Sequence, residues 1–131
     1  MKTESKRDKP RVLVIDDDQA LLRMIRLSMT FDGFDVATAQ DGIAALEQLD
    51  TVEFDVIVLD LQMPRMDGRT FFHEMISRGH RPKVVVLSAY GAEEAQRELK
   101  IAAAVPKPFD PDDLIETVRR VASGKRSSAA K

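Results

Sequence analysis

Three short runs in this chain are apolar at every position, and each ends on a polar residue. They are Val12-Leu13-Val14-Ile15 before Asp16, Val56-Ile57-Val58-Leu59 before Asp60, and Val84-Val85-Val86-Leu87 before Ser88. A strand with one wet face alternates apolar and polar residues. Continuous runs of this length instead mark strands buried on both faces, as in a parallel sheet covered by helices. Segments of helical period separate the runs, and the alternation occurs five times. Strands are expected over residues 11–15, 35–39, 56–59, 83–87 and 103–105, and helices over 19–31, 42–49, 69–78, 92–100 and 111–122.

Such βα repetition predicts a doubly wound α/β sandwich with helices on both faces of a five-stranded parallel sheet. Right-handed crossovers leave few strand orders, and the flavodoxin-like order 2-1-3-4-5 is the common one. Local signals agree. Asp18, Asp41 and Asp110 stand where helix N-caps are wanted, and Pro111 occupies a first-turn position that tolerates a missing N–H. Leu114, Ile115, Val118, Val121 and Ala122 form one helical stripe, and Phe71, Phe72, Met75 and Ile76 another. Gly33 and Gly79 follow helical segments and read as stops.

The 131 residues fit a single domain, here residues 11–122. Residues 1–10 and 123–131 are polar and unpatterned, and are expected as a flexible N-terminal extension and a flexible tail or linker stub. Twenty Lys and Arg stand against 22 Asp and Glu, a net charge of −2, so the basic excess of a direct nucleic-acid binder is missing. The absence of cysteine removes disulfides, zinc thiolates, iron–sulfur clusters and cysteine nucleophiles together. Apolar runs fall far short of the roughly 20 residues of a membrane helix, and the N-terminus lacks the apolar stretch of a secretory signal. A cytoplasmic protein without membrane contact is expected.

In this fold, ligand chemistry belongs at the carboxyl ends of the strands. Four strands deliver functional groups there: Asp16, Asp17 and Asp18 after the first, Asp60 after the third, Ser88 after the fourth and Lys107 after the fifth. The second delivers Gln40 and lies at the sheet edge. Asp18 is read as a helix cap. Asp16, Asp17 and Asp60 repel one another, and such a cluster raises pKa values or recruits a cation. A loose set of carboxylates and waters suits Mg²⁺ better than a closed Ca²⁺ cage. Lys107, held between Pro106 and Pro108, is aimed as a counter-ion to the carboxylates or to a phosphoryl group, and Lys107-Pro108 is the bond where a cis peptide is expected. No Gly-x-Gly-x-x-Gly, P-loop or Gly-x-Ser-x-Gly motif is present. His73 and His80 lack metal-ligand partners at useful spacing and are expected at the surface.

Together, Val12-Leu13-Val14-Ile15-Asp16-Asp17-Asp18, Asp60-Leu61-Gln62-Met63-Pro64-Arg65-Met66-Asp67-Gly68, Val86-Leu87-Ser88-Ala89 and Val105-Pro106-Lys107-Pro108-Phe109 strongly resemble the CheY-like receiver domains of two-component response regulators. The resemblance covers about residues 11–122. It implies that Asp60 accepts a phosphoryl group from a sensor histidine kinase or a histidine phosphotransfer protein. It further implies that Asp17 binds Mg²⁺ directly, Asp16 largely through water, and the Gln62 backbone carbonyl and Asp60 complete the protein ligands. Ser88 and Lys107 would contact phosphoryl oxygens, and Gly68 would supply a positive φ in the loop after Asp60. Such a domain catalyses only its own phosphorylation and dephosphorylation, and signals by switching contacts with a downstream protein or by a phosphorylation-dependent dimer.

Departures from the family pattern also carry expectations. Ala104 stands where the family often has the aromatic that follows the hydroxyl residue, so Tyr90 and the segment 89–102 are expected to carry the switch, with Tyr90 affecting phosphate lifetime. The interval from Ser88 to Lys107 is about one turn short for the family, which makes the fourth helix short or frayed. Two other readings use the same residues: a receiver-like interaction module that is not phosphorylated, and a Mg²⁺-dependent phosphatase with Asp60 as nucleophile. The phosphatase reading wants a second acid two residues on, where this chain has Gln62.

Overall fold

The computed structural model describes residues 9–63, 65–89 and 92–124. Much of the expected extension and tail lies outside these residues, as do Pro64 in the loop after Asp60 and Tyr90. Pro10 already belongs to the fold, since its carbonyl accepts from Asp35 N–H at 2.9 Å. Ser123 likewise belongs to it, as the C-cap of the last helix.

Strands and helices alternate throughout: β1 (Arg11–Ile15), α1 (Gln19–Phe31), β2 (Asp35–Ala39), α2 (Gly42–Leu49), β3 (Val56–Asp60), α3 (Gly68–Ser77), β4 (Lys83–Ser88), α4 (Ala92–Glu98), β5 (Ala103–Pro106) and α5 (Pro111–Ala122). The strands form one parallel sheet in the order β2-β1-β3-β4-β5. Successive side chains of each strand enter opposite layers. Leu13, Ile15, Ile57, Leu59, Val84 and Val86 pack with residues of α2, α3 and α4. Val12, Val14, Val56, Val58, Val85 and Leu87 pack with residues of α1 and α5. That two-sided burial is why these runs show no alternation. The α5 stripe Leu114, Ile115, Val118 and Val121 is buried, each side chain contributing on the order of 1.5–3 kcal/mol relative to exposure.

Four aspartates start helices. Asp18, Asp41 and Asp67 accept from the backbone N–H of Leu21, Ala44 and Thr70 at 3.1, 2.8 and 2.9 Å. Asp110 accepts from Asp112 at 2.9 Å, with Pro111 in the first turn. The cap at Asp67 starts α3 one residue before the sequence expectation. Pairing of Asp60 with Leu87 and of Ser88 with Pro106 carries β3, β4 and β5 one residue further. α4 is short, as expected, but ends at Glu98 rather than at Lys100, because the chain turns there: Ile101 N–H reaches Leu99 O at 3.0 Å and Ala102 N–H is already bonded to Val84 O at 2.8 Å.

The loop from Asp60 to α3 corrects one expectation. Gly68 has no positive φ; Arg65 takes that conformation, at 70°. Gly68 serves close approach instead, because a Cβ there would lie 2.8 Å from Leu61 Cα and 2.9 Å from the Asp60 carbonyl oxygen. Gly33 and Gly79 do take positive φ, 96° and 90°, and end α1 and α3 as expected. The Lys107-Pro108 peptide is cis.

Candidate functional site

The strand order sets the carboxyl ends of β1, β3, β4 and β5 side by side. Asp16 follows β1, Asp60 and Ser88 end β3 and β4, and Lys107 follows β5. Lys107 N–H donates to the Ser88 carbonyl at 2.8 Å, which ties the last two strand ends together. Asp16, Asp60 and Ser88 are 0%, 2% and 1% exposed, whereas Asp17 is open to solvent. Carboxylate oxygens of Asp16, Asp17 and Asp60 lie within 4.8 Å of one another.

Lys107 Nζ reaches into this cluster, 3.0 Å from Asp16 Oδ2 and 3.6 Å from Asp60 Oδ1. The other Asp16 oxygen accepts from Asp18 N–H at 3.0 Å. Asp60 Oδ1 accepts from Gln62 N–H at 3.2 Å. One ammonium and two backbone N–H groups thus face two buried carboxylates, and they do not balance evenly. Burial, and then the charge of Asp16, push the Asp60 carboxyl up to about 6, against the pull of the Gln62 N–H and Lys107. For Lys107, burial works against the charge, but its hydrogen bond and attraction to Asp16, with a smaller share from Asp60, outweigh it and raise the ammonium above its ordinary value.

Three carboxylates this close suit one small hard cation with oxygen ligands. Asp17 and Asp60 fit as direct ligands. Asp16, with one oxygen on Lys107 and the other on the Asp18 N–H, fits as a ligand through water.

The structure places Ser88 at the same rim, but its Oγ donates to the Gln62 side-chain oxygen at 3.1 Å. From the sequence, Gln62 is expected to offer its backbone carbonyl to the metal, and its side chain figures only as the amide where a phosphatase would need an acid. Nothing in one sequence marks that amide as a partner of a residue 26 positions away. Ala104 lies in β5, half-buried and paired with Val86. His73 is exposed, as expected. His80 also lies at the surface, half-buried, with Nε2 2.9 Å from Asp50 Oδ1. Asp50 also binds Arg78 at 2.6 Å, and these partners, His80 first, hold its carboxyl below the ordinary value. This cluster ties the end of α2 to the turn after α3, at the opposite end of the strands from Asp60.

A parallel sheet of this order here carries an acidic pair, a buried aspartate, a hydroxyl and a lysine at one rim, without the glycine-rich phosphate loop of a nucleotide-binding fold. Residues 12–119 match the response regulator receiver domain family, and the chain belongs to that family. It is 36% identical over 112 residues to the response regulator MprA of Mycobacterium sp. (strain KMS), covering 83% of this chain and 49% of MprA. The chain thus spans about half the length of the curated relatives it matches. The receiver domain of the Francisella response regulator 1452 superposes with a TM-score of 0.81 at 33% identity, covering 88% of this chain and 98% of that one. TrrA of Thermotoga maritima, solved in complex with Mg²⁺ and BeF, has a TM-score of 0.74 at 26% identity, with 86% and 98% covered. Among the described residues, no helix is long and apolar enough to cross a membrane.

Proposed function

We propose that residues 11–122 form a receiver unit in which Asp60 accepts a phosphoryl group, in a Mg²⁺-dependent reaction, from a phosphohistidine on a sensor kinase or phosphotransfer protein. The observation that carries this reading is the placement of Asp60, buried at the end of β3 between Lys107 and the acidic pair. An Asp60 oxygen attacks phosphorus, the phosphorus–nitrogen bond of the donor breaks, and the departing imidazole nitrogen retains that electron pair. No general base is required. With its carboxyl near 6, Asp60 is mostly ionised at neutral pH.

Anion meets anion in this step, so catalysis is mainly positioning and charge neutralisation. Asp17 and Asp60 would hold Mg²⁺ directly, with the Gln62 carbonyl, and Asp16 would hold it through water. The bound ion would neutralise phosphoryl oxygens. Lys107 supplies the second positive charge, and Ser88 a hydroxyl donor at the adjacent strand end. TrrA, solved with Mg²⁺ and BeF, supports the choice of ion and of a phosphoryl-like ligand.

The phosphatase reading is disfavoured. Turnover needs an acid two residues after the nucleophile, and the Gln62 amide there cannot protonate a leaving group. The phosphorylated form would act by changing contacts with a downstream protein or a second copy, in the cytoplasm. Incubation with acetyl phosphate and Mg²⁺ tests the reading. The intact mass should rise by one phosphoryl group, only with Mg²⁺ present, and not in Asp60→Asn. Equal labelling of that variant would overturn it.

A further inference from the structure

Ser88 Oγ donates to Gln62 Oε1 at 3.1 Å. A serine hydroxyl has one hydrogen, so donating it to Gln62 and donating it to a phosphoryl oxygen on Asp60 are mutually exclusive. Gln62 also donates its own backbone N–H to Asp60 Oδ1, at 3.2 Å. One residue therefore holds the carboxylate with its main chain and the hydroxyl with its side chain.

The two sides of this contact differ in freedom. Ser88 is 1% exposed, and its carbonyl is bonded to Lys107 N–H at the end of β5. Its hydroxyl turns only by changing rotamer or by moving with the strand end. Gln62 lies exposed on the loop after β3, so its side chain is the member that can give way.

We propose that the Gln62 side chain is a positioning latch on Ser88, keeping the hydroxyl hydrogen away from Asp60 until an acyl phosphate offers a better acceptor. The inference rests on the reading of Asp60 as phosphoacceptor. A charged phosphoryl oxygen accepts a stronger hydrogen bond than a neutral amide oxygen, so the exchange is downhill once the group is in place. The bond that must first break penalises the Ser88-turned state in the unphosphorylated protein. The latch thereby makes movement of the β4 end conditional on phosphorylation, and it biases two states of the site without touching the transferring phosphorus.

The test uses the full chain and its Gln62→Met variant, which keeps side-chain length and the backbone but removes the amide acceptor. Beryllofluoride with Mg²⁺ serves as the phosphoryl probe, followed by amide NMR. The variant should bind it about twofold to tenfold more tightly, the worth of one neutral hydrogen bond. In a Ser88→Ala background, Gln62→Met should change nothing. Unchanged or weaker binding in the single variant, or the same gain without the Ser88 hydroxyl, would overturn the latch.

A second readout needs no phosphoryl probe. Scalar couplings should report one Ser88 rotamer in the wild type and averaging in Gln62→Met, whereas one fixed rotamer in both would overturn the proposal. If beryllofluoride fails to bind the wild type, the phosphoacceptor reading falls, and the couplings alone decide the latch.

Discussion

Asp60 is buried, and burial together with Asp16 makes its charge costly. Its carboxyl rises from 3.8 to about 6 on folding. Below the unfolded value both states are protonated and the group contributes nothing. As pH rises towards 6, the unfolded chain ionises while the folded one holds its proton, so stability falls, and above about 6 the whole penalty is present. Asp60→Asn, which cannot ionise, should be more stable than the metal-free wild type by about 1–3 kcal/mol at around pH 7.5, with the gain gone near pH 4. Urea unfolding across that range measures it, and a wild type as stable as the variant at the higher pH would contradict the cause assigned to the shift.

The three consecutive aspartates differ in what their oxygens meet. Asp18 spends an oxygen on the Leu21 N–H, while Asp17 points into solvent beside Asp60. Asp18→Ala should cost about 0.5–2 kcal/mol of stability. Asp17→Ala should instead weaken Mg²⁺ binding, read by calorimetric titration, with Asp18→Ala close to wild type in that measurement. The reverse order would place the metal one residue along.

At the scale of elements, legibility follows the range of the interaction. β1, α1, β2, α2 and α5 were legible to the residue because each is bounded by a local signal: a run ending in a polar residue, an aspartate cap, a glycine stop. The start of α3 was missed although its signal, Asp67 ahead of the Phe71-Phe72 stripe, is local too. The role of Gly68 was out of reach, because it depends on the carbonyl of Asp60 and the backbone of Leu61 folding against it. The site divides the same way. Convergence of Asp16, Asp17, Asp60, Ser88 and Lys107 at one rim follows from topology, but the bond between Ser88 and Gln62 depends on a loop conformation that no spacing encodes.

Gly68 and Gly42 make a matched pair. A Cβ on Gly68 meets backbone at the end of β3, whereas on Gly42 it meets the flexible end of Met66, with Sδ at 2.8 Å. Gly68→Ala should cost about 1–3 kcal/mol and slow labelling by acetyl phosphate, since the displaced atoms include the Asp60 carbonyl. Gly42→Ala should cost less and leave labelling unchanged. Thermal unfolding and labelling rates of the two variants check this, and equal losses would mean that the tight contact at Gly68 yields cheaply.

For the molecule as a whole, one topological fact organises the chemistry. The order β2-β1-β3-β4-β5 leaves β2 at the edge and lines up the ends of the other four strands. Residues separated by 91 positions, Asp16 and Lys107, become ion-pair partners at 3.0 Å. The same arrangement puts Asp60, at the end of the central strand β3, between the ends of β1 and β4. The most direct measurement chemically marks the residue that carries the phosphoryl group. After treatment with acetyl phosphate and Mg²⁺, borohydride reduces an aspartyl phosphate to homoserine, which peptide mass mapping locates. The account predicts a single reduced residue, at Asp60. Reduction at Asp16 or Asp17, or no reduction in folded protein that binds Mg²⁺, would contradict it.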